Sequence, residues 1–314
     1  MAIVAHYPSA MAVEAATGPE KRQLGVNQIM NIISGAVDAA RRSREDTVRY
    51  SICTLVNKED EYDTMVRSFM ANGFREPDCE FLYLDNTTTN RFDGFSGCNL
   101  FLNSARGDYV ILCHQDVQLL EDGIERLNGV IAELDRAHPD WGLFGNAGAR
   151  ADGTLAIRIL DPFSPSPERG TDWGPFPAEV QSLDENFIVV KRAANLAVSG
   201  DLGGFHLFGT DLCLNARSLG YRAFVVNFLL RHKSPGTVND EFRKIEKALV
   251  DKYADAWKPR WVTTTCTLVF LSGWRWLNRI GNSRVMLRQM LNLRKRRRRA
   301  RREDIVSGSK ASGT

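Results

Sequence analysis

A chain of 314 residues, 43% hydrophobic and 25% charged, is long enough for one large α/β domain with extensions or for two small domains, and it can bury a core without disulfide or metal staples. The net charge of +3 is uneven, because residues 294–302 (RKRRRRARR) hold eight basic side chains and leave 33 Lys+Arg against 38 Asp+Glu, about −5, elsewhere. The basic character belongs to a tail, and the acidic body shows no nucleic-acid recognition module, so nucleic acid is not the expected partner.

Residues 1–20 show no periodicity, and Glu14 interrupts the Ala-rich stretch, so no secretory leader is expected. From Gln23 to Arg42, Ile29, Ile33, Val37 and Ala40 follow helical spacing. Residues 1–48 are therefore expected to form an extension with one helix.

The main domain is expected over residues 49–255. Tyr50 to Val56 (YSICTLV) reads as a strand, followed by polar Asn57 to Asp60 and a helix with Tyr62, Met65, Val66 and Phe69 on one face. Phe81 to Leu84 forms a second strand ending in Asp85-Asn86, Gly97 to Ala105 a helix, Tyr109 to Cys113 a third strand, and Ile124 to Leu134 another helix. Apolar strands alternating with helices predict a mostly parallel sheet covered on both faces, with ligands at the strands' carboxyl ends. Those ends carry Asn57 and Glu59, then Asp85 and Asn86, then His114, Gln115 and Asp116.

Residues 161–178 (DPFSPSPERGTDWGPFPA) read as a long irregular loop, and with Trp173 and Phe176 they are expected to form a mobile lid or acceptor-side loop. Phe187 to Val190 is a further strand. Asp211 precedes the helical pattern Leu212, Leu214, Ala216, Leu219, where an aspartate usually caps the helix. The apolar run FVVNFLL reads as one strand ending at His232.

Taken in order, these segments resemble glycosyltransferase family two, most closely its HQD-bearing glycosyltransferase-like branch. The resemblance covers roughly residues 50–240: SICTLVNKED, LYLDNTTTN, Asn99 with ARGDYVILCHQDV, GFHLFGTDLCLNARSLGY and LLRHKSPGT. It implies a GT-A fold, to which helical spacing outside that range adds an N-terminal helix and a basic amphipathic C-terminal helix. It also implies inverting transfer of a sugar from a nucleotide-diphosphate donor, a UDP-sugar being favoured, to a hydroxyl of a glycan or lipid-linked acceptor in cell-envelope or polysaccharide synthesis. Carried onto this chain, the catalytic base is Asp211. Val56, Asn57, Glu59, Asp85, Asn86, Asn99 and Gln115 contact the nucleotide. Asp116 and His232 hold Mn²⁺ or Mg²⁺. His114 and Asp184 are candidate substrate contacts, and His206 either lines the acceptor site or packs structurally. The family's usual metal motif is Asp-x-Asp; here its first carboxylate is His114, which leaves open a catalytically silent nucleotide-sugar-binding protein.

The cysteines (53, 79, 98, 113, 213 and 266) form no Cys-x-x-Cys pair and read as reduced core thiols of a cytoplasmic protein. The apolar run Cys266 to Trp274 is shorter than the ~20 residues a membrane-spanning helix needs. Trp274, Trp276, Leu277, Ile280, Leu287 and Leu291 lie roughly along one stripe, interrupted by Arg284, and the polybasic run follows. Residues 256–305 are expected to be an interfacial segment on the anionic inner face of a membrane, and 306–314 a disordered tail. The competing readings are packing of this helix on the main domain, and nucleic-acid binding by the Arg-rich tail.

Overall fold

The computed structural model describes residues 21–23, 48–166, 169–234 and 239–296. The expected helix of 23–42, except Gln23, which ends a short strand, lies outside them, as do the tail of 306–314 and most of the 294–302 basic run. Two compact units divide between Glu246 and Lys247, and a helix, Asp240–Trp257, runs across the division.

The first unit is built on strands β1 Lys21–Gln23, β2 Tyr50–Val56, β3 Cys79–Asp85, β4 Tyr109–Cys113, β5 Val117–Leu119, β6 Trp141–Gly145, β7 Ala147–Ala149 and β8 Leu155–Leu160. They continue as β9 Thr171–Trp173, β10 Ala178–Val180, β11 Ser182–Leu183, β12 Phe187–Lys191, β13 Arg222–Val225 and β14 Leu230–His232. Its helices are α1 Glu59–Ala71, α2 Gly94–Ser104, α3 Ile124–Ala137 and α4 Phe208–Ser218, with α5, Asp240–Trp257, leading out. The eight-stranded sheet has the order β1-β3-β2-β4-β12-β6-β13-β10. Neighbours are parallel except for β12, antiparallel to both β4 and β6, and β10, antiparallel at the edge. The fold is mixed α/β, as expected.

Strand periodicity accounts for two cores. Successive residues of a strand point to opposite faces. Cys53, Leu82, Leu84, Val110, Leu112, Ile188 and Val190 join one cluster, with Phe95 and Phe101 of α2 and Leu212 of α4. Ile52, Phe81, Ile111, Cys113, Phe187 and Val189 join the other, with Met65 and Phe69 of α1 and Leu127 and Leu134 of α3. Because both faces are covered, these strands are apolar throughout.

Two expectations change. FVVNFLL is not one strand: β13 ends at Val225 in the large sheet, and β14 starts at Leu230 in a second sheet of order β11-β7-β8-β14-β5, with β9 paired to β8. Asn227 fixes the break, its carbonyl accepting from Arg126 (2.8 and 3.0 Å) and its amide oxygen from Arg158 Nε (2.9 Å). The 161–178 stretch is not wholly irregular either. Thr171–Trp173 pairs antiparallel with β8, the Arg169 carbonyl accepts from Arg158, and Phe176 packs on the first core.

In the second unit, β15 Arg260–Thr263 and β16 Leu268–Leu271 form an antiparallel hairpin, followed by α6 Arg275–Gly281 and a helix over 284–296, α7. The single C-terminal helix expected from sequence is thus two. The break falls at Asn282, whose side chain bonds both the N–H and the carbonyl of Phe270 (2.9 and 2.8 Å) and so ties the turn to the hairpin. Among the described residues no helix is long and apolar enough to cross a membrane.

Candidate active site

A cleft of about 700 Å³ opens at the carboxyl ends of β2, β3 and β4. Two registers assemble its floor. Strand β14 pairs antiparallel with β5 so that His232 lies opposite Val117, the residue after Asp116. Strand β12 pairs antiparallel with β4 so that Phe187 lies opposite Cys113, which sets Asp184 and Glu185 beside the His114-Gln115-Asp116 end. The His114 N–H bonds the Asn186 carbonyl (3.0 Å) and locks that junction.

His114, Asp116 and His232 converge here, each offering a ligand atom within 4.8 Å of the others. His232 Nε2 is 3.4 Å from Asp116 Oδ1 and 3.3 Å from His114 Nδ1. The second Asp116 oxygen accepts from the backbone N–H (3.1 Å) and hydroxyl (2.5 Å) of Ser234. Burial alone would raise the Asp116 carboxyl, but the His232 and Ser234 hydrogen bonds and the two imidazoles outweigh it and hold Asp116 well below the usual carboxylate range. Burial lowers His114, and so does the neighbouring His232. For His232 burial also acts downward, but the Asp116 carboxylate prevails and raises it. An ionised carboxylate and an imidazole pushed toward its neutral form suit a divalent cation. The facing ring nitrogens of His114 and His232, 3.3 Å apart, and the Asp116 oxygen lie close enough together to point at a single cation. Two nitrogens with one oxygen suit Mn²⁺ or another first-row ion better than Mg²⁺. Sequence reading placed Asp116 and His232 in this group; the structure adds His114, which had been expected to meet substrate.

The nucleotide-side residues divide. Asn57 and Asn86 line the cleft, but the Asn86 side chain is buried and engaged: Nδ2 donates to the Phe92 carbonyl (2.7 Å) and Oδ1 accepts from the backbone N–H groups of Arg91 (3.0 Å) and Phe92 (3.1 Å). Gln115 also lines it, but its side chain is engaged: Oε1 accepts from the backbone N–H groups of Asn57 (2.9 Å) and Lys58 (3.0 Å), and Nε2 donates to Asn57 Oδ1. Gln115 therefore shapes the turn after β2. Four expected contacts are absent from the cleft wall. Val56 is buried, with its carbonyl taken by the Asn86 N–H (2.7 Å). Asp85 accepts from the Thr87 N–H and hydroxyl, hydrogen bonds that lower its carboxyl. Asn99 pairs reciprocally with the Val198 backbone at 3.0 Å. Glu59 begins α1, and Lys58 and Glu61, paired at 3.1 Å, line the wall instead.

Asp211, the expected base, stands apart from the cleft lining. Asp211 is fully buried in the first turn of α4, where its oxygens accept from the Ser199 N–H (2.6 Å), the Ser199 hydroxyl (2.8 Å) and Asn215 Nδ2 (3.2 Å). It anchors the 199 loop to α4 and does not line the cleft. Glu185, which sequence reading missed, does line it. Its Oε1 accepts the Gly209 N–H at 3.1 Å. Only glycine permits this approach, because a Cβ at 209 would sit 2.5 Å from the Leu183 carbonyl oxygen. Burial and then the neighbouring Asp184 raise the Glu185 carboxyl to about 8. Asp184 and His206 also line the cleft; Asp184 bonds the Asn186 N–H (2.9 Å), and the His206 ring lies 5.5 Å from that of Phe242. Leu207, at φ 64°, turns the chain between His206 and Phe208, and both of these face the cleft.

These features define a mixed α/β protein with a cleft at its strand ends and a His-Asp-His cluster on the cleft floor. Over 215 residues the chain is 36% identical to "ATP synthase subunits region ORF 6" of Fuscovulum blasticum, covering 67% of this chain and 85% of that protein. The chain belongs to that protein's family. No protein-family model matches it. Among solved structures it is similar to the 1–349 portion of S. aureus TarS, also solved with UDP-GlcNAc, at TM-score 0.45 and 13% identity, spanning 66% of each chain, just under two thirds. It is likewise similar to the mannosyltransferase PcManGT of Pyrobaculum calidifontis, in complex with GDP-Man and Mn²⁺, at TM-score 0.43 and 13% identity, over 73% of this chain and 71% of that one. At these TM-scores neither similarity bears on the reaction of this chain.

Proposed function

We propose that this protein is an inverting glycosyltransferase of GT-A type, from the HQD-bearing branch of family two. It would move a sugar from a nucleotide diphosphate, a UDP-sugar being favoured, to a hydroxyl of a glycan or lipid-linked acceptor in envelope or polysaccharide synthesis. One observation carries the reading: His114, Asp116 and His232 converge on the floor of the cleft whose wall presents Asn57. Support also comes from the order of the family-like segments along the chain.

In this reading Asn57 meets the nucleoside, Gln115 fixes the turn that carries Asn57, and Asn86 fixes the adjoining 91–92 backbone at the same wall. His114, Asp116 and His232 would hold the divalent ion, which when bound neutralises the diphosphate charge and acts as a Lewis acid. Glu185 takes the proton of the acceptor hydroxyl, since an acid near 8 sits close to working pH, where a general base is most effective. Asp184 and His206 orient the sugar or acceptor at the same wall, and Phe205 and Phe208 help exclude water.

Thermal stabilisation against UDP-, GDP-, CMP- and dTDP-sugars, with and without Mn²⁺ or Mg²⁺, tests the proposal, because a ligand of the folded state raises its melting temperature. A metal-dependent shift with one nucleotide is expected. No shift with any donor would refute it, and a shift without turnover on glycan or lipid-linked acceptors would indicate a silent binding protein.

A further inference from the structure

We infer that the second unit is a docking surface for an anionic phospholipid bilayer, an interaction independent of the transfer chemistry proposed for the cleft. The described part of this unit exposes large apolar side chains beside cationic ones. Trp274 is 62% exposed, Trp276 57%, Ile280 55% and Val285 66%, values that nothing in a folded interior explains. On α6, Trp276 and Ile280 lie one turn apart and form an exposed stripe; Arg275 and Arg279, also one turn apart and exposed, form the adjacent stripe. On α7, exposed Arg284, Arg288, Leu291 and Lys295 follow at steps of three or four residues and so share one line.

The local structure presents these groups rather than burying them. Asn282 ties the α6–α7 turn to the backbone of Phe270, Gly281 packs directly against the Phe270 ring, and Trp261 meets Phe270 edge to face at 5.2 Å. Those contacts hold the unit together and leave Trp274 and Trp276 outward.

Charge decides the occupant. Among the described residues 272–296 there is no Asp or Glu, while seven Arg or Lys are present. A cationic, tryptophan-bearing surface matches a bilayer interface, where indole rings sit at headgroup depth and guanidinium groups meet lipid phosphates. Among the described residues no helix is long and apolar enough to cross a bilayer, and α6 and α7 would lie on its surface. Nucleic acid would account for the arginines but not for the exposed Trp274, Trp276 and Ile280 stripe.

The experiment is co-sedimentation of the full chain with vesicles of phosphatidylcholine alone and with ~30% phosphatidylglycerol. Binding to the anionic vesicles, weakened by high salt, is expected. Trp274→Ser with Trp276→Ser should weaken it by ~10-fold or more at unchanged melting temperature, since both rings are exposed. Charge reversal at Arg275, Arg279, Arg284 and Arg288 should abolish it. Absence of vesicle binding, equal binding by either variant, or capture of an oligonucleotide in place of vesicles would overturn the inference.

Discussion

Glu185→Gln separates stability from catalysis in the candidate site. The folded protein holds the Glu185 carboxyl near 8 against an ordinary value of 4.5, chiefly through burial and secondarily through Asp184. A carboxyl raised on folding binds more protons in the native state than in the unfolded one, so stability is lost as pH climbs from 4.5 through about 8. A rise of that size corresponds to at most ~5 kcal/mol, at about 1.4 kcal/mol per pH unit. Glu185 still touches the solvent of the cleft, which screens it, so about half of this should survive. Gln keeps an oxygen for the Gly209 N–H, now at 3.1 Å, and cannot ionise. Melting curves from pH 5 to 8.5 in EDTA should therefore coincide for the two proteins at the acid end and diverge upward. The Gln variant should melt about 5 °C higher at pH 8.5, given roughly 2–4 °C per kcal/mol for chains of this order of size. Every other titrating group is common to both proteins, so the difference curve isolates position 185. The same variant should lose transfer by about 10²–10⁴-fold. A Gln variant that melts lower at pH 8.5, or by a pH-independent difference, would refute the burial argument; one that turns over normally would refute the role as base.

Three further perturbations test the rest of the site. Asp116→Ala removes the carboxylate facing His232 at 3.4 Å, and metal-dependent donor affinity by calorimetry should fall at least ~10-fold; equal affinity with Mn²⁺ and with EDTA in both proteins would rule out a metal there. Gln115→Ala removes the three hydrogen bonds to the 57–58 turn, so KM for the donor should rise roughly tenfold with kcat little changed. An unaltered KM would mean that the turn holds its shape without Gln115. Asp211→Asn leaves the Ser199 hydrogen bonds with a weaker, uncharged acceptor and should cost about 1–3 kcal/mol in denaturant titration while the folded fraction stays active. Full stability with lost transfer would restore Asp211 as the base.

What the sequence disclosed is what local pattern encodes, and what it concealed depends on contacts between distant segments. Tyr50–Val56 and Tyr109–Cys113 were readable to the residue because buried parallel strands are apolar on both faces and end abruptly in polar turns. The polar ends of those strands pointed to the right edge of the sheet, yet not to what each side chain does there. Asp211 looks like a catalytic or capping aspartate because nothing near it in sequence reveals Ser199, twelve residues upstream, which takes both its oxygens. Glu185 is overshadowed by its neighbour Asp184 in Leu-Asp-Glu-Asn and acquires its environment only when Gly209, twenty-four residues on, is brought against it. His114 looked like a lost metal carboxylate. It enters the cluster because the β5–β14 register carries His232 across from Val117, a pairing 115 residues apart. The missing carboxylate is thus no sign of a missing metal site. An imidazole at 114 would be as capable a donor once a second imidazole and Asp116 face it, and in the proposed site the exchange would shift the preference from oxygen-loving Mg²⁺ toward Mn²⁺ rather than abolish binding.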